Sequence, residues 1–559
     1  MPVITFVNQN KSIEVEKGTT LLEAARQAGV VMEAPCNGMG TCGKCKVNIG
    51  AGNLDKINYL DPNHKISEEE IQEGYVLACQ SEVGTEDLDV VFESTASHNK
   101  TLKILDEGVT FHYDIDPYIT KKFDGKNTVI YGGDEKLGLE SGDTVDDYYG
   151  ISIDIGTTTV VASLIDMKTG KELDSVSALN PQSIAAQAVL TRIKFASTPA
   201  RLCKMHRIVT EEVNRMIGEL CKKNNISRTH IYEVIYSGNT TMIHLAGNRN
   251  PESLGKYPYT PVLYGGCEDT AKEIGLDISP FGLIYYPPIM SAYVGPDITS
   301  GLVSTELNKQ KGTVILIDIG TNGEMMISKD GSLSATSTAA GPAFEGMNIT
   351  FGMRAAKGAI EFFEINDDHS ITLRTIENGK PVGICGSGLF DIVAELVRTG
   401  IITKTGRFIR ESKLPKDDPL RERLCKYEGK PAFLVADGIY LTISDVRQVQ
   451  LAKGAVRSGV EALMQSQGVS VEDVDKVMIA GSFGYHLQAK SLINITLLPK
   501  EFEGKIDFVG NTSKTGGIAF LLNKQIREDT KNLVKQVLSV ELSTIDGYND
   551  LFVGCLNFI

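Results

Sequence analysis

Ten cysteines occur in the 559 residues, and four of them carry a spacing with chemical content. Cys36, Cys42 and Cys45 lie in Pro35-Cys36-Asn37-Gly38-Met39-Gly40-Thr41-Cys42-Gly43-Lys44-Cys45, and Cys79 follows in Val76-Leu77-Ala78-Cys79-Gln80. The pattern C-x5-C-x2-C with a distant fourth thiolate suits a cluster of two irons, each taking two sulfur ligands. A loop of this kind wraps tightly and aims N–H groups at sulfur, and Gly38, Gly40 and Gly43 supply backbone angles that a Cβ would forbid. The chemistry expected is one-electron transfer, with Cys36, Cys42, Cys45 and Cys79 as the metal ligands.

Rival readings of these residues explain less. A structural zinc site is built from two C-x2-C pairs, and only Cys42 and Cys45 form one. Disulfides suit an oxidising compartment, whereas the opening Met-Pro-Val-Ile-Thr-Phe has neither a basic segment nor a hydrophobic signal core, so a reducing cytoplasm is expected. Gly38 to Lys44 reads G-x-x-x-x-G-K, but Cys45 replaces the hydroxyl that a P-loop offers to magnesium. Four unrelated buried cysteines would leave the crowding of three thiols beside so many glycines without a reason.

The flanking segments show how the loop is held. Ile4 to Val7 and Ser12 to Val15 alternate around Asn8-Gln9-Asn10, which predicts a hairpin. Thr19 to Gly29 predicts a helix with a threonine cap, apolar Leu21, Leu22, Ala25 and Ala28 on one face, and a glycine stop. Strands on either side of one helix make a small α+β, β-grasp unit. Residues 2 to about 94 resemble a plant- or adrenodoxin-type [2Fe-2S] ferredoxin, and Cys36, Cys42, Cys45 and Cys79 match its ligand pattern.

The length implies roughly three or four domain-sized units. A formal charge of −15 argues against nucleic acid or an anionic membrane as partner. No run of about eighteen apolar residues exists to span a bilayer. A soluble, cytoplasmic protein is expected. Residues 95–149 hold short apolar pieces between polar turns and are read as a linker or a minimal connecting domain.

Residues 150–559 contain an internal repeat. Tyr149-Gly150-Ile151-Ser152-Ile153-Asp154-Ile155-Gly156-Thr157-Thr158-Thr159-Val160 recurs as Thr313-Val314-Ile315-Leu316-Ile317-Asp318-Ile319-Gly320-Thr321-Asn322-Gly323-Glu324. A second pair echoes it: Val234-Ile235-Tyr236-Ser237-Gly238-Asn239-Thr240 and Val477-Met478-Ile479-Ala480-Gly481-Ser482-Phe483-Gly484. The order A–B, A′–B′ predicts a duplicated α/β domain with a cleft between halves at about 150–310 and 311–559. A strand–turn–strand rich in Gly and Thr offers N–H groups and hydroxyls to phosphate, and an Asp ahead of it can hold Mg²⁺ through water. A paired-aspartate protease shares Asp-x-Gly-Thr but leaves the turns at Gly238 and Gly481 unexplained.

These motifs resemble the actin, sugar-kinase and heat-shock-ATPase superfamily, whose halves are ribonuclease H-like. The resemblance makes Gly156, Thr157, Thr158 and Thr159 a first phosphate loop and Gly320, Thr321 and Asn322 a second. Gly481, Ser482, Phe483 and Gly484 become its adenosine motif, with Asn239 at the matching turn of the first half. Gly341, in Ala339 to Gly346, could line the cleft. Gly386 and Ser387 open a helix whose N-terminus favours an anion. Asp154, Asp318 and Glu324 are the catalytic candidates, and Glu324 and Glu345 could position water or stand near the metal. Cys203, Cys221, Cys267, Cys425 and Cys555 lack ligand spacing, and His206, His244 and His486 form no metal pattern.

A [2Fe-2S] head joined to an ATP cleft resembles one family along nearly the whole chain: the reductive activators of corrinoid proteins. The resemblance implies ATP-dependent one-electron reduction of an inactive Co(II) corrinoid to Co(I), with a [2Fe-2S] cluster, ATP and Mg²⁺ as cofactors. The implied partners are the corrinoid protein of a methyltransferase system and a low-potential donor, ferredoxin or reductase, since no flavin, NAD(P) or corrinoid motif is evident; a homodimer is a further expectation. The alternatives are a redox-sensing, chaperone-like ATPase, an activator of another low-potential enzyme, and a kinase fused to a ferredoxin.

Overall fold

The computed structural model describes all residues of the chain except 31, 33, 35–37, 39, 41, 42, 44, 61–64, 93–110 and 482–486. Cys36, Cys42, Ser482, Phe483, Gly484 and His486 therefore lie outside the described residues. The chain divides into two compact units, Met1–Leu102 with Pro181–Phe195, and Lys103–Asn180 with Ala196–Ile559.

In the first unit the alternating N-terminal segments form strands Val3–Phe6 and Lys11–Glu14, joined through Asn10 in the left-handed region. Strand Leu88–Val90 pairs with Val3–Phe6 in parallel, which gives the mixed sheet of a β-grasp. Helix Leu21–Gln27 starts where Thr20 accepts a hydrogen bond from the Glu23 N–H and buries Leu21, Leu22, Ala24 and Ala25. Strand Lys46–Asn48 pairs antiparallel with Tyr75–Leu77. In Pro181–Phe195, a 3-10 turn Pro181–Ile184 and helix Val189–Phe195 are braced by the buried Arg192, whose Nε donates to Ala186 O at 2.9 Å and Nη1 to Gln182 Oε1 at 3.3 Å.

The second unit is built on two six-stranded sheets with one plan. The first runs Glu172–Leu179, Thr159–Asp166, Tyr149–Ile155, Ile231–Gly238, Leu283–Tyr286 and Cys267–Thr270. The second, read in the same sense, runs Leu538–Ser539, Ser332–Thr338, Gly323–Lys329, Thr313–Ile319, Lys476–Ala480 and Ile506–Gly510. In both, the strand carrying Asp-Ile-Gly-Thr is central, antiparallel to the next strand and parallel to the one that ends in the glycine turn. Tyr-Gly-Ile-Ser-Ile-Asp-Ile and Thr-Val-Ile-Leu-Ile-Asp-Ile are apolar runs because their strands are covered on both faces.

The helices that close each half are exchanged. Ile298 and Leu302 of helix Pro296–Ser304 pack on Val314, Leu316 and Met326 of the second sheet. Phe520, Leu521 and Leu522 of helix Thr512–Leu522 pack with Ile165, Tyr232 and Ile235 of the first. Packing thus crosses the chain-order division at 310–311. The helices meet through small residues: a Cβ on Gly516 would stand 2.1 Å from Ser300 O.

Residues 111–148 are folded against the first sheet. Strands Ile119–Phe123, Asn127–Gly132 and Glu135–Ser141 form an antiparallel meander, and Lys121 Nζ donates to Asp147 O at 2.9 Å and to the Tyr232 hydroxyl at 2.6 Å. A buried ion pair ties the C-terminal helices to the same sheet. Arg527 Nη1 donates to Glu233 Oε1 at 2.8 Å, with the guanidinium 4.4 Å from the Tyr285 ring centre. Burying two charges is tolerated because each neutralises the other, and removing one leaves the other uncompensated. Glu233→Ala is expected to cost the larger unit about 3–5 kcal/mol, read as a lower urea midpoint. Glu233→Ala with Arg527→Met is expected to recover much of that loss; a double variant no more stable than the single would show that the pair is not the cause.

Candidate functional site

Two groups of residues could do chemistry, one in each unit. In the first, the ladder between Lys46–Asn48 and Tyr75–Leu77 places Lys46 opposite Leu77, and the Ala78 N–H donates to Cys45 O at 2.9 Å. Cys45 precedes one strand and Cys79 follows the other, so the pairing brings the two thiols together. Both are buried. The Cys79 thiol is lowered to about 6, chiefly by its hydrogen bond with Cys45, against the opposing effect of burial; Gln80 and the Gly40 N–H add to the lowering. A thiol that ionises below its ordinary range is suited to ligate metal. Gln80 Nε2 stands 3.7 Å from Cys79 Sγ and donates to Gly38 O at 3.0 Å. Gly38, Gly40 and Gly43 all have positive φ, and a Cβ on Gly40 would stand 2.8 Å from the Gln80 side chain. The cradle fits a group held by thiolates, with side-chain and backbone N–H donors aimed at sulfur.

In the second unit, the two Asp-Ile-Gly-Thr hairpins face one another across a cleft of about 100 Å³. Each turn is closed by its own glycine, Gly156 N–H donating to Thr159 O and Gly320 N–H to Asn322 O. The loops touch where the Thr158 and Thr321 hydroxyls lie 3.2 Å apart, and Thr321 Oγ1 also donates to Glu345 Oε1. Asn239 Nδ2 donates to Thr157 Oγ1 at 3.0 Å while its Oδ1 caps helix Thr240–Ala246. Asn180 holds the first loop from behind: its N–H donates to Thr158 O and its Nδ2 to Gly156 O, both at 2.8 Å. Whole ligand pockets run to roughly 300–1,000 Å³, so the enclosed part has room for phosphate groups and not for a complete nucleotide.

Carboxyl groups dominate the lining. Asp154, Asp297, Asp318, Glu324 and Glu345 all reach the cleft. Asp318 and Glu324 are directly opposite across two antiparallel strands, where the first half has Asp154 opposite Val161. Burial, then Asp297 and Asp154, push the Asp318 carboxyl up to about 8. Burial, with the nearby Asp154 charge adding to it, raises Asp297 to about 7. Glu324 is pushed well above the carboxylate range by burial, Asp297 and Asp318. Asp154 is also raised by burial, but Ser513 Oγ donates to it at 2.8 Å and Asn511 Nδ2 at 3.1 Å, which oppose the rise. An all-oxygen, repelling set of carboxylates suits a hard cation. Among the described residues no three His, Cys, Asp or Glu groups converge to ligate a metal directly.

The cleft thus gathers Asp154, Gly156, Thr157, Thr158, Thr159, Asn239, Gly320, Thr321, Asn322, Glu324 and Gly481 with Asp318. Gly386 and Ser387, which open helix Gly386–Arg398 as expected, are not among the residues lining this enclosed part. A Cβ on Gly386 would stand 1.7 Å from Phe344 O, and Ser387 Oγ donates to Glu361 O, so close packing accounts for that glycine turn. Gly341 also stays outside the lining; its N–H donates to Thr321 O and so supports the second loop. Asp297, Asn511, Ser513 and Asn180 were missed. Gly295-Pro296-Asp297 and Asn511-Thr512-Ser513 carry helix-start signatures that mark where the two exchanged helices aim their N-termini at the cleft. His244 has a structural role: Nδ1 donates to Thr240 O and Nε2 accepts from the Val262 and Leu263 N–H groups.

Comparison with known proteins agrees with both groups. Residues 5–84 match the 2Fe-2S iron-sulfur cluster binding domain, 149–310 the RACo middle region, and 312–559 the C-terminal domain of RACo, the ASKHA domain. The chain is 30% identical to the corrinoid activation enzyme RamQ of Eubacterium limosum over 97% of its own length and 96% of that protein's. It is 24% identical to a Co(II) methylated amine-specific corrinoid protein reductase of Methanosarcina barkeri, covering 73% of this chain and 77% of that one. A solved structure, a reductive activator for corrinoid, iron-sulfur protein, superposes with a TM-score of 0.73 at 30% identity, covering 100% of this chain and 98% of that one.

Two outcomes follow from the geometry. Gln80→Leu removes a donor near Cys79 sulfur. A net hydrogen bond of about 1 kcal/mol that favours the reduced cluster corresponds to roughly 40 mV for one electron, so an EPR redox titration should find a more negative midpoint; an unchanged midpoint would sever Gln80 from the cluster. In the cleft, carboxyls raised above their unfolded values lend stability at low pH that is lost as pH rises through the folded values, about 7 for Asp297 and about 8 for Asp318. Asp318→Asn should therefore melt higher than the parent at pH 8, with the difference shrinking by pH 6. A variant that melts lower at pH 8 would contradict the repulsion.

Proposed function

The chain belongs to the family of corrinoid activation enzymes, and on that premise we propose that it couples ATP turnover in the cleft to one-electron reduction of a Co(II) corrinoid, carried by a partner protein, to Co(I). The observation that carries the reading is the facing pair of Asp-Ile-Gly-Thr hairpins over a carboxylate-lined cleft, in one chain with the Cys45–Cys79 thiol cradle.

The roles of the residues follow from their surroundings. Gly156 and Gly320 spend their N–H groups on their own turns, and the Thr158 and Thr321 hydroxyls that meet between the turns exchange their present partners for phosphate oxygens. Phosphate entering between the loops replaces the Thr158–Thr321 contact. Asp154, fixed by Asn511 and Ser513, and Asp318 would hold hydrated Mg²⁺, whose charge would relieve the repulsion among the carboxylates. Glu324, buried opposite Asp318 at the cleft, orients the attacking water. Cys36, Cys42, Cys45 and Cys79 hold the cluster, which when bound supplies one electron near −400 mV. A shortfall of roughly 100 mV to the cobalt couple is about 2.3 kcal/mol for one electron, within what nucleotide turnover can supply through states that bind the partner differently. The electron comes from a separate low-potential donor.

The test is anaerobic: full-length protein, a chemical reductant, Mg-ATP and a Co(II) corrinoid protein, followed by the Co(I) absorption band. Co(I) should form with ATP and fall at least about tenfold without it, a coupling within the usual range for linked sites. Asp318→Asn should lose the ATP stimulation, and Cys79→Ser should lose reduction while still binding nucleotide. Equal Co(I) formation with and without ATP would refute the coupling.

A further inference from the structure

Helix Thr240–Ala246 is short, and every one of its residues is buried. It starts at the cleft. Its cap, Asn239, lines the cleft, accepts the Met242 N–H through Oδ1, and donates through Nδ2 to Thr157 Oγ1 of the first phosphate loop at 3.0 Å. A second element that reaches the cleft presses on the same end: a Cβ on Gly295, two residues before Asp297, would stand 2.5 Å from Thr240 N. One turn further along, His244 ties the helix to another loop. Nδ1 lies 2.7 Å from Thr240 O, and Nε2 accepts the Val262 and Leu263 N–H groups at 3.0 and 3.1 Å. Two backbone donors on Nε2 put the ring proton on Nδ1. Burial holds the imidazole down to about 4, so it stays neutral and the latch stays closed at ordinary pH.

The loop that His244 holds has an apolar outer side. Tyr257, Val262 and Tyr264 are 81%, 59% and 57% exposed, while Leu263 is buried. Exposed apolar side chains scattered singly need no account, but these three share one short loop. Its rings form a chain: Tyr257 and Tyr259 have centroids 5.9 Å apart, and Tyr259 and Tyr293 are 5.6 Å apart. Tyr259 has a φ of 55°, a left-handed backbone that a bulky residue keeps only where its surroundings impose it. Those surroundings lead back to the cleft. Ile289 N–H donates to Tyr264 O at 2.8 Å and the Tyr293 hydroxyl to Leu254 O at 2.9 Å. Ser291, between them, accepts from Thr240 Oγ1 at 2.8 Å, and the same segment runs on to Gly295 and Asp297.

We infer that helix Thr240–Ala246 is a lever, with Asn239 as its input and His244 as its output, through which phosphate at the first loop changes how Tyr257, Val262 and Tyr264 are presented to solvent. A short helix buried all round moves as one body, because close-packed surroundings transmit displacement and leave no room to absorb it. Small shifts at one end of such an element become discrete rearrangements at the other. The inference rests on the nucleotide reading of the cleft. It adds the place on the same unit where the nucleotide state becomes visible at the surface, which a coupling through differential states requires.

The experiment is amide hydrogen exchange on the full-length, cluster-loaded protein under anaerobic conditions, with and without Mg²⁺ and the β,γ-imido analogue of ATP. Peptides covering 150–165 report the phosphate loop, 239–247 the lever and 256–266 the aromatic loop. In the wild type, nucleotide should change exchange in all three, by about fivefold or more at 256–266. The chain has no Trp, so Tyr257→Trp gives a single emitter on the loop, and its quenching by iodide should also change with nucleotide. His244→Leu removes the acceptor of the two loop N–H groups. It should keep the response at 150–165 and an ATPase rate within about twofold, and lose the response at 256–266. His244→Gln, whose amide oxygen can accept an N–H, should recover part of it. A wild-type response at 150–165 with none at 239–247 or 256–266 would overturn the lever without recourse to any variant. A full response at 256–266 in His244→Leu would overturn it as well. Absence of any nucleotide effect at 150–165 would instead refute the nucleotide reading, and the lever with it.

Discussion

The constraint on which the larger unit turns is the mutual repulsion of carboxylates that cannot reach bulk water. Asp318 and Glu324 face each other across one antiparallel pair, and Asp154 and Asp297 approach from the other half. Charged groups this close are costly in a low-dielectric site, so protons bind or a cation does. The first half avoids doubling the charge by placing Val161 where the second has Glu324. It also anchors its own aspartate with Ser513 and Asn511. The two halves share a backbone plan but divide the labour: one fixes its carboxylate, and the other leaves Asp318 and Glu324 facing each other.

Backbone proximity makes that arrangement possible. A Cβ on Gly238 would stand 2.4 Å from Ile155 O, and one on Gly481 would stand 2.5 Å from Ile319 O. Both glycines have positive φ, 146° and 105°. Each half thus needs a residue without a side chain where the parallel strand meets the turn after its aspartate. The same close approach recurs between the exchanged helices at Gly516 and Ser300. These contacts let the N-termini of both helices converge on the cleft, where their partial positive charge offsets part of the carboxylate burden.

Much of this was legible in the sequence, and the reasons are local. A strand that is apolar at every position, followed by Asp-x-Gly-Thr, is a continuous signal, and its duplication gave the two sheets and the opposition of Asp154 and Asp318. The thiol spacing, with glycines that must adopt positive φ, likewise lay within one short stretch. Asp297, Asn511 and Ser513 were not legible because their importance comes from the exchange of closing helices, which no local pattern encodes. Gly386 and Ser387 stand outside the enclosed lining of the cleft. A glycine at a helix start reads equally well as an anion site and as room for a neighbouring backbone, and only the position of Phe344 O decides. Asn180 carried no signal of its own, because its two bonds to the phosphate loop depend on how the strand before it lies beside its neighbour.

The same physics explains why the nucleotide end of the chain is so tightly cross-braced. On the proposed coupling, energy is delivered as a difference between two well-defined arrangements, since a continuously deformable cleft would dissipate it. Hydroxyl contact between Thr158 and Thr321, the Asn239 cap, and the Asn180 bonds behind Gly156 and Thr158 leave the empty loops one low-energy arrangement. Phosphate binding must exchange that set of bonds for another.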